Sequence, residues 1–439
     1  MVPLVWLCPL LLIILCGSNT RAVVALSSIE TPPWLTSQLA EFDLQVHGFP
    51  ETGRGLETTR DRSAGEVLIR VPQDNAVTVS SLLRKYPILS QAANRSIQEF
   101  KVQLTDEQIL AVGILLLKHD GDPYAISLPP QHSVLQMPTE FLAWFPHAYR
   151  KLIQAYQHHC LFLHGSVLPA LSSSNDNDND NDDNHQLKLP IKITEEDFYW
   201  AFATVRSRCV GMDGPDDEGI RTGGDGEIRV MLPGFDLLNH RFGAQTKPYQ
   251  DDDNYVIQSN NDYKKGEQVY ISYSDQRQNL KMLMTYGFCV PHNPTKVVLL
   301  DYEDVLHACA MARPQYFNPT VQGQVWQLLG KLDKQRDLLS FQDGIPDTTL
   351  KEGIQVMAEL QKQFLTEPDA SFSNDVLEAL LEARRTQVKH GIEQITQAQQ
   401  QKDIEADWMP MASSIRVLLE EELQFLDQTS STTSTVCDE

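Results

Sequence analysis

The spacing of apolar residues along this chain changes three times. Apolar and polar residues alternate over residues 40–80 and again in "EIRVMLP", "NYVIQS" and "EQVYISY", which is typical of half-buried strands. Between these stretches, and again from Asp301, apolar residues recur at helical spacing. Because neither strand group can bury a face alone, we expect the two groups to pair across the helical segment. The pattern predicts an α+β chain, with a discontinuous all-β domain, a helical insertion and a following all-α domain.

Domain boundaries follow from these changes of pattern. The β domain is predicted at 36–295 with its insertion at about 81–195, and the helical domain at 301–428. The polar repeat "SSSNDNDNDNDDNH" cannot bury a core, so residues 172–186 are expected to be a disordered loop. The Ser/Thr-rich residues 429–439 are expected to form a disordered tail.

Two local signals place elements within this plan. Gly53 and Gly55 predict a turn between two short strands, because glycine allows backbone conformations that other residues avoid. Thr194, followed by three acidic residues, predicts the N-terminus of a helix that ends near Arg208.

The net charge and the N-terminal residues limit the kinds of binding partner and the cell compartments that we expect. The net charge is -23, from 36 basic and 59 acidic residues, which argues against nucleic acid as a partner. Residues 1–25 combine a short apolar run with small residues and predict a secretory-type leader, with an uncleaved anchor as the alternative. The leader points to the secretory route or to an organelle, such as a plastid, reached through it. After its removal we expect a monomer that does not contact a membrane.

Metal chemistry is not expected from this sequence. The seven cysteines are scattered and contain no C-x-x-C pair, so neither a zinc cluster nor a disulfide framework is predicted. Asp176, Asp178 and Asp180 have the spacing of a calcium loop. However, Asn181 and Leu187 stand where that loop needs glycine and glutamate. This leaves a calcium-regulated adaptor as a weak alternative.

Four short stretches carry the candidate chemistry: "GRGL" at Gly53, "SR" ending at Arg208, "DLLNH" ending at His240, and "EQVYISY" ending at Tyr273, with "YGF" thirteen residues later. Together they resemble the SET-domain methyltransferases. The resemblance is greatest to the branch that contains the RuBisCO large-subunit lysine methyltransferase and the actin-histidine methyltransferase. In that branch a helical segment interrupts the SET domain and a helical substrate-binding domain follows it, as in the order predicted above.

The resemblance implies a cofactor, a reaction and a set of residues. The cofactor would be S-adenosyl-L-methionine, and Tyr273 would be the catalytic residue that directs its hydroxyl at the transferring methyl group and the acceptor nitrogen. A protein substrate would be docked by the C-terminal helical domain. The cofactor-binding residues would be Thr52, Gly53, Arg54, Arg208, Asp236, Leu237, Leu238, Asn239, His240, Tyr286, Gly287 and Phe288.

The chemistry explains why no nucleophile is found in these motifs. Methyl transfer from a sulfonium needs alignment and a neutral acceptor nitrogen, so the site needs positioning groups and a dry channel that lowers the pKa of a lysine amine. Lysine is the expected acceptor, with histidine as the alternative and an inactive SET-like binding module as the rival from another class. One departure from the family pattern is Thr52, which stands where a glutamate is usual and lacks its carboxylate.

Overall fold

The computed structural model describes residues 31–130, 132–168, 191–213, 227–251, 254–273, 278–312, 339–342, 345–346 and 372–429. The predicted leader, the Asp/Asn loop at 172–186 and residues 430–439 lie outside this part of the chain. Contacts divide the chain into two units, residues 1–131 with 161–275 and residues 132–160 with 276–439. Among the described helices, none combines the length and the apolar character needed to cross a membrane.

The first unit contains three small sheets, with the strand orders β1-β2-β10-β7, β3-β9-β8 and β4-β6-β5. Each sheet joins strands from before the helical insertion to strands from after it, which confirms the predicted pairing across the insertion. The strands are β1 (Leu44–Phe49), β2 (Gly53–Thr58), β3 (Val67–Pro72), β4 (Val77–Thr78), β5 (Cys209–Asp213), β6 (Glu227–Met231), β7 (Asn239–His240), β8 (Thr246–Asp251), β9 (Asn254–Ser259) and β10 (Gln268–Ile271).

Strand β10 joins the glycine-containing strand β2 to the strand β7 that carries the Asn-His pair. It runs antiparallel to β2, with Val269 opposite Leu56, and parallel to β7, with Tyr270 opposite Asn239. Leu56 and Val269 are both completely buried in the core of this unit. The glycine-containing strand and the Asn-His pair therefore flank the same strand.

Helices fill the insertion as the pattern predicted. Thr194 caps its helix with a capping box, as expected, and Thr105 does the same for the most deeply buried helix, α4. The helices are α1 (Pro33–Glu41), α2 (Val79–Lys85), α3 (Pro87–Arg95), α4 (Asp106–His119), α5 (Pro123–Ser127), α6 (His147–Phe162) and α7 (Glu195–Arg208). Helix α1 precedes the first strand and had no counterpart in the predicted all-β domain; it covers the core with Leu35 and Leu39.

The second unit is built around long helices but is not wholly helical. The prediction of an all-α domain at 301–428 is not confirmed, because strands β12 and β13 fall in that range; β12 pairs with β11, and β13 pairs with β12. Its elements, besides most of α6, are a 3-10 helix (Thr139–Trp144), α8 (Asn279–Tyr286), β11 (Val297–Leu300), α9 (Tyr302–Ala312), β12 (Leu339–Gln342), β13 (Ile345–Pro346), α10 (Phe372–Gln401), a 3-10 turn (Ala406–Trp408) and α11 (Met409–Thr429).

A buried ion pair lies inside this second core. The Arg384 guanidinium on α10 donates to the Glu422 carboxylate on α11 at 2.5 Å, and it lies over the ring of Tyr149. Both charged side chains are almost fully excluded from solvent. The pair ties α10 to α11 within an otherwise apolar cluster.

The glycine prediction needs one correction. Residues 50–52 form the turn, Gly53 opens β2 with a positive φ of 72°, and Gly55 lies inside the strand opposite His47. Gly55 is therefore required for close packing and not for a turn.

Candidate functional site

Strand β2 presents a glycine to two amide side chains of the first unit. A Cβ at Gly55 would lie 2.5 Å from Gln268 Nε2 and 2.7 Å from Asn239 Nδ2, so any larger residue would displace one of them. Asn239 uses its Nδ2 to donate to the Arg54 carbonyl oxygen at 3.1 Å. The "GRGL" and "DLLNH" stretches are thus in direct contact.

Tyr273 is attached to the same motif by two hydrogen bonds. Its hydroxyl donates to the Leu238 carbonyl oxygen at 2.9 Å, and its backbone N–H donates to His240 Nδ1 at 3.0 Å. Because Nδ1 accepts here, the proton of the neutral imidazole lies on Nε2. The His240 ring is buried and lies 5.2 Å from the Tyr273 ring, centroid to centroid.

Asp236 is a buried carboxylate with several polar neighbours. One oxygen accepts from the Tyr124 hydroxyl at 3.0 Å and the other from the Gly234 N–H at 3.0 Å. Arg208 Nε lies 4.0 Å from the first of these oxygens. Burial raises the pKa of Asp236, and the Arg208 and Arg54 guanidiniums oppose that rise.

Arg54 and Arg208 therefore share one anionic neighbour. Both terminal nitrogens of Arg54 donate to the Ser127 carbonyl oxygen at 3.2 Å, and burial lowers the pKa of this arginine. Arg208 Nη1 also contacts the Ser207 hydroxyl at 2.9 Å. Arg208 lies at the end of α7 with its side chain mostly buried, so it is not a surface ion pair.

Thr52, at the position where the family pattern has a glutamate, is exposed, and its side chain bonds to Gln268. Its hydroxyl lies within 3.0 Å of both side-chain polar atoms of Gln268, which is buried. The Tyr270 hydroxyl donates to Gln268 Oε1 at 2.7 Å. Thr52 thus contacts the site through Gln268, which in turn covers Gly55.

The remaining predicted residues differ in their placement. The side chains of Leu237 and Leu238 are part of the hydrophobic core, and the contribution of Leu238 to the site is its carbonyl oxygen. Tyr286, Gly287 and Phe288 belong to the second unit, where Gly287 ends α8 in the left-handed conformation. The rings of Tyr286 and Phe288 are 6.0 Å apart. The roles of these residues stay predictions.

Tyr124 lies outside the four motif stretches, and Gln268 lies inside "EQVYISY" but was not among the predicted site residues. Tyr124 lies on α5, whose Asp-Pro start is a recognisable helix signal, but its partner Asp236 is 112 residues away. Gln268 lies in a strand that the pattern predicted, 216 residues from Thr52. In both cases the local signal indicated the helix or strand, and not the contact with a residue distant in the chain.

One group in the second unit has ligand-like spacing without needing an ion. His147, Asp301 and Glu303 offer atoms within 4.8 Å of one another. Lys151 Nζ lies 3.2 Å from both carboxylates, and His147 Nδ1 lies 2.9 Å from Asp301. The ammonium group already supplies the positive charge that these carboxylates require.

Several curated proteins resemble this sequence. SET domain-containing protein 4 of Artemia parthenogenetica is 22% identical over 314 residues, which are 71% of this chain and 72% of that protein. The human SET domain-containing protein 4 is 24% identical over 66% of this chain and 65% of its own length. Actin-histidine N-methyltransferase of Xenopus tropicalis is 26% identical over 60% of this chain, but only 43% of that protein is covered. No protein-family model matches the sequence.

Solved structures share the fold along nearly the whole chain. The SET domain of LSMT bound to methyllysine and AdoHcy superposes with a TM-score of 0.57 at 19% identity, covering 94% of this chain and 91% of that one. Rubisco LSMT bound to AdoMet gives a TM-score of 0.54 at 17% identity and covers 95% and 91%. Both likenesses confirm the resemblance inferred from the four motifs.

Proposed function

We propose that this chain, which has the SET-domain fold, is an S-adenosylmethionine-dependent protein methyltransferase. The observation that supports this most directly is the contact between the early glycine strand and the late motif. Asn239 bonds to the Arg54 carbonyl oxygen, while Tyr273 bonds to the Leu238 carbonyl oxygen and to His240. The structures of similar fold include SET domains bound to AdoMet and AdoHcy.

The donor set suits that cofactor. Guanidinium groups at Arg54 and Arg208 can bind a carboxylate, and the Asn239 amide with the neighbouring backbone can bind hydroxyl and amino groups. When bound, the sulfonium supplies an activated methyl group, so no covalent nucleophile is required. Gly53, with its positive φ, lets the backbone of β2 come close to a ligand.

Tyr273 would act by alignment. Its hydroxyl proton is directed at the Leu238 carbonyl oxygen, so the phenol oxygen presents lone pairs and no formal charge to an incoming N–H group. Such a group positions a neutral acceptor nitrogen for in-line attack. The neutral acceptor nitrogen would gain the methyl group as the sulfonium S–CH3 bond breaks and AdoHcy leaves, and the resulting cation would then release a proton to solvent.

Lysine is the acceptor we propose, with protein histidine as the second candidate. Methyllysine and lysine are bound in SET-domain structures of the same fold, which favours lysine. The actin-histidine N-methyltransferases are as similar in sequence as the other relatives, which keeps histidine as a candidate. We also propose that the second unit docks the substrate protein, as the resemblance implies.

Labelled methyl transfer into a lysate of the source cells tests the function and the acceptor. Mass spectrometry of the labelled proteins should locate the mark on a lysine side chain, and acid hydrolysis should release methyllysine. Release of methylhistidine would decide for the second candidate.

Replacing Tyr273 by Phe tests the role of the hydroxyl. We expect transfer to fall at least a hundredfold, as for other positioned catalytic groups, while AdoMet affinity changes less than threefold. Isothermal titration and initial rates measure the two quantities. Tyr263→Phe is the matched control, because its hydroxyl also donates to a backbone carbonyl oxygen, that of Tyr270 at 3.4 Å. A wild-type chain that binds neither AdoMet nor AdoHcy would leave the inactive binding module as the better description.

A further inference from the structure

We propose that Tyr124 is a positioning residue of this site, whose hydroxyl keeps the buried Asp236 carboxylate ionised and thereby holds Arg54 and Arg208 in place. The proposal rests on the function proposed above and adds a residue that none of the four motifs contains. Tyr124 belongs to the helical insertion, on the short helix α5. The insertion would then support the site directly and not only enlarge the domain.

Burial makes the ionised state of Asp236 depend on its neighbours. Only 2% of the Asp236 side chain is exposed, and an isolated carboxylate there would take up a proton. The neighbours that face it are the Tyr124 hydroxyl on α5, the Gly234 N–H, Arg208 at the end of α7 and Arg54 on β2. Tyr124 is itself buried, so its proton is available to Asp236 and not to solvent.

The charge of Asp236 matters because two cations depend on it. Burial lowers the pKa of Arg54, and repulsion by Arg208 lowers it further, while Asp236 is the carboxylate that attracts both guanidiniums. If Asp236 became neutral, the two guanidiniums would face each other without a counter-charge. Displacement of Arg54 would also move its carbonyl oxygen, the acceptor for Asn239.

Helix α5 holds this arrangement at two points. Tyr124 contacts Asp236, and three residues later the Ser127 carbonyl oxygen accepts both terminal nitrogens of Arg54. The helix start is fixed by Pro123 and by the Asp122 side chain, which accepts the Ala125 N–H at 3.0 Å. One short helix thus positions a residue from the early strand and a residue from the late motif.

The test is the pH dependence of AdoHcy affinity in the full chain with Tyr124→Phe. Loss of the hydroxyl removes a hydrogen bond that favours the ionised carboxylate, so the pKa of Asp236 rises further. We expect the acid-side loss of affinity to move to higher pH by about one unit. At pH values above this acid-side loss, the variant should bind AdoHcy within threefold of the wild type. Within the pH range of the loss, it should bind roughly tenfold more weakly than the wild type. A constant ratio of affinities at every pH would overturn the proposal.

The matched control is Tyr86→Phe. The Tyr86 hydroxyl also donates to an aspartate, Asp120, at 2.6 Å and also lies in the insertion, but that pair is at the surface. Its affinity profile should follow that of the wild type across the pH range. A shift of the same size in both variants would show that the effect comes from general loosening of the insertion.

A second measurement does not depend on the cofactor. Because the folded-state pKa of Asp236 is raised, its ionisation costs stability as pH rises through the interval between the unfolded and folded values. The Tyr124→Phe variant, with a still higher pKa, should lose little unfolding free energy relative to wild type at acidic pH and progressively more toward neutral pH. A difference that does not depend on pH would contradict the role of Tyr124. If wild type binds no AdoHcy, the proposed function fails, and this comparison still decides whether Tyr124 controls Asp236.

Discussion

At the scale of single residues, Gly55 is where the absence of a side chain matters most to the candidate site. Its backbone φ is not in the left-handed region, so an alanine there would meet no backbone strain. The obstacle is the space already taken by the amides of Gln268 and Asn239. Gly55→Ala should therefore affect Asn239 more than it affects folding.

We expect Gly55→Ala to weaken AdoMet binding about tenfold and to lower the unfolding free energy by about 1–3 kcal/mol, since overpacking displaces Asn239 from the Arg54 carbonyl oxygen. Titration calorimetry and chemical denaturation measure the two effects. Gly165→Ala is the control, because a Cβ there meets nothing within 4 Å. Unchanged affinity in Gly55→Ala would mean that the Asn239 amide does not contribute to binding.

At the scale of elements, local signals in the sequence predicted what local interactions determine. The strands at Glu227, Asn254 and Gln268 and the helix capped by Thr194 follow from alternation and capping, and all four are confirmed. The turn was misplaced because Gly55 is needed for packing against Asn239, a contact between residues distant in the chain.

The contact between Tyr124 and Asp236 lay outside sequence reasoning for the same reason. The strands β12 and β13 have only four and two residues, and they lie in a part of the chain that the overall pattern assigned to helices. What could be predicted was therefore the elements and the family motifs. What could not be predicted was the set of side chains that support those motifs from other elements.

The helix pair α10 and α11 gives a prediction at this scale. Arg384→Met should cost about 3–5 kcal/mol of unfolding free energy, because it leaves the Glu422 carboxylate buried without its positively charged partner. Arg416→Met is the control: it removes another arginine–glutamate pair, with Glu420, that is exposed and should cost less than about 1 kcal/mol. The double variant Arg384→Met with Glu422→Leu should recover much of the loss. Denaturant unfolding measures the unfolding free energy of all three variants. Equal losses of unfolding free energy in Arg384→Met and Arg416→Met would show that the buried pair contributes no more than the exposed one.

At the scale of the whole molecule, each of the two units has its own hydrophobic core, and each core is built from segments that are separate in sequence. In the first unit the segments meet where Leu56 packs opposite Val269. The early strands therefore complete their core only when the late strands pair with them.

Leu56→Ala should lower the unfolding free energy by about 2–5 kcal/mol. Hydrogen exchange should show loss of protection in β1, β2 and β10 together, because the cavity opens at their junction. Ile97→Ala, at a side chain that is 46% exposed, should leave these strands protected. Loss of protection in β1 and β2 with β10 unchanged would show that the early and late strands unfold separately.

The pairing of β2 with β10 also has a consequence during synthesis on the ribosome. Thr52 and its partner Gln268 are 216 residues apart, and a ribosome adds about 5–20 residues per second. The hairpin of β1 and β2 therefore waits for roughly ten to forty seconds with one edge uncovered. During that interval the edge of β2 that later pairs with β10 is open to pairing with a neighbouring chain. Chaperones that bind the nascent chain would prevent such pairing.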